Sequence, residues 1–128
     1  PGGGDGGLFN GILARYLGLV TTMLPGHAPD DDTARDTARS IVLASARAAW
    51  EGRQTAEELP LFSAFWDRPA QVPTPAGSDA QFVDGAVNSS EIPERDLSVQ
   101  LAGWMLMEAA HTVAGDESET VAGDESGE

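Results

Sequence analysis

Residues 2–24, GGGDGGLFNGILARYLGLVTTML, decide how the rest of this chain is read. A glycine-rich entry leads into a segment whose apolar residues cannot share one narrow helical stripe: Leu8, Phe9, Ile12, Leu13, Tyr16, Leu17, Leu19, Val20, Met23 and Leu24. A helix apolar all round is normally buried all round, so a core helix is expected here. Gly11, Ala14 and Gly18 are small enough to let a neighbouring helix approach closely. At about 1.5 Å per residue, roughly 17 residues from Leu8 make a rod of about 25 Å. That is short for a bilayer, and Arg15 sits in its middle. Ahead of it, Asp5 lies among five glycines, read either as a helix N-terminal cap or as part of a loop at the mouth of a cleft. The spacing is not that of a phosphate loop, and no Lys-Ser/Thr pair follows, so nucleotide binding is excluded.

The bulk properties narrow the class. A chain of 128 residues makes one ordinary domain. With no cysteine there is neither a disulfide nor a thiolate metal site. The start at Pro1, inside a glycine run, suggests a fragment or processed product, and cytoplasmic and secreted settings stay equally open. Net charge is −14, and all seven bases are Arg. Such a surface repels nucleic acid and anionic membranes, so neither is expected as a partner. A GC-rich genome or a salt-loving source gives this pattern; the Asp30–Asp32 run and the acidic tail favour the salt-adapted protein. Refolding in low and in molar salt separates the two.

Further along, Pro25-Gly26 stops the first helix. Asp32 is the expected cap of a second helix over residues 33–50, with Asp30 and Asp31 at its positive end. There Ala34, Ala38, Ile41, Val42, Ser45, Ala48 and Ala49 form one stripe, with Arg35, Asp36, Arg39 and Arg47 off it. This is a one-faced helix, ended by Gly52. Residues 52–94 read as a long irregular loop pinned by Leu61, Phe62, Phe65 and Trp66; residues 77–90 have little to bury and read as mobile. A third helix is expected from Arg95 or Asp96 to about Thr112, again apolar on all sides. Gln100, Trp104, Met107 and His111 fall on one of its faces, which could line a polar cavity. Glu108 and His111 have the Glu-x-x-His spacing of di-iron bundles, but a second copy and further carboxylates are missing, so no metal or other cofactor is expected. His27 reads as a solvated loop residue. Residues 112–128 carry a near-exact octapeptide repeat, TVAGDESE then TVAGDESG, expected to be disordered beyond the first copy.

Four stretches, in this order, resemble the C-terminal third of glycoside hydrolase family 76, the bacterial and fungal α-1,6-mannanases. They are DGGLFNGILARYL (5–17), SIVLASARAAWEGR (40–53), LPLFSAFWDRPA (59–70) and DLSVQLAGWMLMEAA (96–110). The likeness covers most of residues 3–110; its motifs are moderately specific as an ordered set and weak singly. Asn10 departs from the family, which often has Lys there, so no charged contact is carried to that position.

The resemblance implies an all-α fold: residues 1–111 as about three helices of an (α/α)6 toroid, with inner helices buried on both sides and outer helices on one. Buried, one-faced, buried is the order inner, outer, inner. It also implies retaining hydrolysis by an adjacent Asp pair on an earlier part of the barrel. That pair has no counterpart here: Asp30–Asp32 precede an outer helix, so no catalytic residue is assigned and the chain alone is expected to be inactive. Its expected contribution is cleft wall: Asp5, Asn10, Trp66, Asp67, Gln100 and Trp104 as contacts to an oligosaccharide or α-mannan. A different toroidal enzyme, such as an epimerase or a glycuronyl hydrolase, would use the same residues; a non-catalytic helical binding module is the reading of another class. A piece of a ring should expose the apolar sides of its first and third helices and self-associate.

Overall fold

The computed structural model describes residues 4–73, 82–83, 86–87 and 90–125, with the side chains of Asp5, of 82–83 and 86–87, and of 116–125 outside the described part. Described residues are mostly helical. A 3-10 turn at Gly4–Leu8 leads into α1 (Phe9–Met23), followed by α2 (Pro29–Glu51) and α3 (Leu97–Glu125). Between α2 and α3 lie β1 (Gln54–Ala56), β2 (Leu59–Leu61), β3 (Phe82–Val83), β4 (Ala86–Val87) and a 3-10 turn at Pro93–Arg95. The strands form two small antiparallel hairpins, β1 with β2 and β3 with β4.

The three helices pack against one another pairwise. Their directions follow from which residues meet. A Cβ on Gly11 would lie 2.6 Å from Ala102 Cα, and one on Gly18 would lie 3.5 Å from Ala109 Cβ. Seven residues along α1 therefore match seven along α3 in the same sense, so these helices run parallel. In the core, Ala46 and Ala49 meet Leu106, whereas the earlier Val42 meets the later Ala109 and Val113. Thus α2 runs antiparallel to α3. The small residues of α1 do what their size suggested: Gly11, Ala14 and Gly18 are all buried at close helix contacts.

The expectation that α1 and α3 are buried on every side is not met in this chain. Phe9 is 67% exposed, Tyr16 63% and Met23 71%, and on α3 Leu97 is 81% exposed and Trp104 53%. The cause is geometric: each helix has only two helical neighbours, which cover part of its circumference. The third helix also continues past Thr112 to Glu125, where a disordered tail was expected. Val113 explains the first part of this extension, since it is completely buried in one cluster with Val42 and Ala109. The expected mobile stretch, 77–90, falls mostly outside the described residues.

Helix ends are set by side chains acting on backbone. α2 starts at Pro29, earlier than expected, because Asp31 rather than Asp32 closes the box: its Oδ2 accepts from the Ala28 N–H at 3.1 Å. The three acids occupy the first turn, where the helix dipole favours negative charge. Asp32 pairs instead with Arg35 at 2.6 Å. The same guanidinium donates to the carbonyls of Leu24 (2.8 Å) and Gly26 (2.7 Å), just beyond α1, so one side chain ties that segment to α2. Arg35→Met is expected to lower stability by about 1–2 kcal/mol, because charge-assisted bonds to carbonyls are lost. Arg35→Lys should recover only part, since an ammonium cannot span both carbonyls and the carboxylate. Urea denaturation checks both.

The β1–β2 hairpin was not foreseen. Its two-residue loop places Glu57 (φ 50°) and Glu58 (φ 68°) in the left-handed region. That geometry suits the twist of a tight hairpin but normally selects Asn-Gly, so the usual sequence signal is missing.

Candidate functional site

A cleft of about 330 Å³ opens between α1, α2 and the segment that follows β2. α1 contributes Asn10, Leu13, Ala14 and Leu17, α2 contributes Ile41, Val42 and Ser45, and α3 contributes Leu106. The last wall is Phe65, Trp66 and Asp67. Ala14, Val42 and Leu106 are buried and form an apolar floor. Trp66 is half-buried, packed on the core cluster of Ala14, Ala46, Ala49 and Leu106 while also lining the cleft. Asn10 and Ser45 are half-buried, and neither side chain has a hydrogen-bond partner among the described residues.

Trp66 and Asp67 are the two central residues of a turn closed by the Arg68 N–H donating to the Phe65 carbonyl at 3.2 Å. Arg68 stacks over the Phe65 ring, 4.7 Å from its centroid, and its Nε donates to the exposed Asp67 carboxylate at 3.3 Å. After the turn, the Ala70 N–H donates to the Gly52 carbonyl at 2.8 Å, which fixes the chain against the end of α2.

The structure therefore brings together Asn10, Trp66 and Asp67 of the six residues expected to form a site. The side chain of Asp5 lies outside the described residues. Gln100 and Trp104 are corrected. Gln100 does not line a cavity: its Oε1 accepts from the Phe62 N–H at 2.9 Å, and its Nε2 donates to the carbonyls of Phe62 (3.0 Å) and Glu94 (2.9 Å). Trp104 does not face inward. It is half exposed and meets the buried Phe62 edge-on, with ring centroids 5.5 Å apart at 87°. The helical wheel placed both residues on one face, but there they meet Phe62 rather than a void. Of their companions on it, Met107 packs on the core and His111 is exposed. Ser45 and Phe65 are among the cleft residues not selected from the sequence; Ser45, the one hydroxyl on the apolar stripe of α2, was the available signal.

No family model, curated protein or solved structure matches this chain. The site is therefore read from its own geometry.

An apolar floor with an indole on one wall, and an amide, a hydroxyl and a carboxylate at its edges, matches what a sugar offers: apolar ring faces and hydroxyls that both donate and accept. Asp67 is the only acid lining the cleft among the described residues. A glycosidic bond is broken by two carboxylates, and among the described residues the cleft presents one. Asp30–Asp32 do not supply that pair, since Asp31 and Asp32 are engaged at the start of α2. Glu108 and His111 are exposed, and among the described residues no three His, Cys, Asp or Glu side chains group as a metal site. A second groove of about 500 Å³ runs between α1 and α3, lined by Arg15, Leu19, Met105 and Glu108, and none of the expected site residues reaches it. No helix among the described residues is long and apolar enough to cross a membrane.

Proposed function

We propose that this chain is three staves of an (α/α)6 toroid, the C-terminal portion of a retaining α-1,6-mannan hydrolase whose catalytic Asp pair belongs to an earlier segment. In this reading its own part is to bind the glycan through the cleft of Asn10, Trp66 and Asp67. The observation that carries the binding role is that cleft: an indole anchored on the core stands beside an unpartnered amide and an exposed carboxylate. Two features support the toroid. α1 and α3 run parallel with α2 antiparallel, as two inner helices and the outer helix between them would. The exposed positions of α1 and α3 are also greasy, with Phe9 and Tyr16 on one and Leu97 and Trp104 on the other. A free-standing bundle would present polar residues there. α2, by contrast, carries Asp36 and Arg47 on its wet side.

The test is an NMR titration of the 128-residue chain with α-1,6-mannotetraose, using cellotetraose as the control. The expected result is selective shifts of the Trp66 indole and the Asn10 side-chain amide. Asp67→Asn, at an exposed position, should leave the fold unchanged and weaken binding about tenfold, the loss of one charge-assisted hydrogen bond. Equal shifts with cellotetraose, or none with the mannan fragment, would refute the mannan reading.

A further inference from the structure

We propose that Glu94 and Gln100 are positioning residues for the cleft: together they fix residues 62–65, and through them the turn that presents Trp66 and Asp67. The inference rests on reading that cleft as a glycan site.

Residues 62–65 have no strand or helix of their own to satisfy their backbone. Side chains do it instead. Gln100, in the first turn of α3, clasps Phe62 from both sides by accepting from its N–H and donating to its carbonyl. Its remaining N–H goes to the Glu94 carbonyl, which ties the clasp to the turn preceding α3. Glu94 is 5% exposed, and its Oε1 accepts from the Ala64 N–H at 3.3 Å, with the Ser63 hydroxyl at 3.5 Å. Ser63, itself buried, accepts from the Phe65 N–H at 3.1 Å. The backbone N–H groups of residues 62, 64 and 65 thus all end on side-chain oxygens.

A buried carboxylate and a half-buried amide spent on a loop are hard to explain by stability alone, because apolar packing would serve as well. What they add is a single conformation for residues 62–65. With the far side fixed by Ala70 on Gly52, the turn between these anchors has little freedom left. A sugar contact held this way loses less entropy on binding, which is how preorganisation raises affinity.

The experiment measures ¹⁵N relaxation of the Trp66 indole, assigned with Trp66→Phe, alongside binding of α-1,6-mannotetraose. In Gln100→Ala the indole order parameter should fall from the rigid range near about 0.85 to below about 0.6. The helix amides of α1 and α2 should stay rigid, and affinity should fall about tenfold or more. Glu94→Gln keeps the oxygen that Ala64 uses and should behave as wild type. If Gln100→Ala does not fold, Ser63→Ala, which frees the Phe65 N–H, gives the same readout. An indole as ordered in the folded variant as in wild type overturns the proposal. Failure of the wild-type chain to bind mannotetraose would instead remove the glycan reading, and the indole measurement would still decide the positioning role.

Discussion

Phe62→Ala is expected to destabilise the protein by about 3–5 kcal/mol, the range for removing a buried aromatic ring. Phe62 has no exposed surface. Its ring lies 6.3 Å from that of Trp50 and 5.5 Å from that of Trp104, so it joins the end of α2 to the second turn of α3. The upper part of the range applies because the site cannot collapse: Gln100 grips the Phe62 backbone on both polar groups. Gly103 exists for the same ring, since a Cβ there would sit 2.4 Å from Phe62 Cγ. Gly103→Ala alone should cost about 1–3 kcal/mol through overpacking. In a Phe62→Ala background it should cost less, because the ring atoms at 2.4 and 2.5 Å are gone and only Phe62 Cβ, at 2.7 Å, remains close. Guanidinium denaturation of the four proteins in that cycle measures the coupling, and additive costs would show that the two positions are independent.

The second large effect is expected at the α1–α3 crossing. Gly11→Ala should destabilise by about 1–3 kcal/mol, because the new methyl would lie 2.6 Å from Ala102 Cα, a backbone atom that no rotamer change can move away. Gly18→Ala should have the opposite sign. Its methyl would meet Ala109 at 3.5 Å, ordinary contact, so the gain in helix propensity of about 1 kcal/mol is kept. Thermal unfolding of both variants should move in opposite directions. Equal shifts would mean that the helices are not in this register.

These residues also show what could be read in advance. The small side chains of α1 announced a close helix contact because size is a property of the residue itself, and the stripe of α2 announced one buried face for the same reason. How far α1 and α3 are covered was not legible. Apolar residues on every flank state what a helix would bury, whereas exposure of Phe9 or Leu97 depends on which neighbours are present. At the site, Trp66 was legible as an apolar anchor in a proline-rich stretch, whereas Asn10 and Asp67 were selected through the family resemblance. Gln100 was selected as a glycan contact, and spacing along a helix does not reveal that it clasps a backbone 38 residues away in sequence. Asp96 stands where α3 was expected to begin. Its backbone carbonyl does begin the helix, but its carboxylate accepts from the Gly4 and Ser90 N–H groups, contacts that no local pattern encodes.

The matched steps of Gly11 to Gly18 and Ala102 to Ala109 restrict how this molecule can move. Sliding α3 by one turn past α1 would bring Leu106 or Ser98 to the place where only Ala102 fits. The next equivalent position is seven residues away, about 10.5 Å of travel. The pair is therefore a keyed joint: it can rock or twist as one piece, but it cannot ratchet. Any widening of the cleft must come from α2 and the turn carrying Trp66 swinging away from that joint.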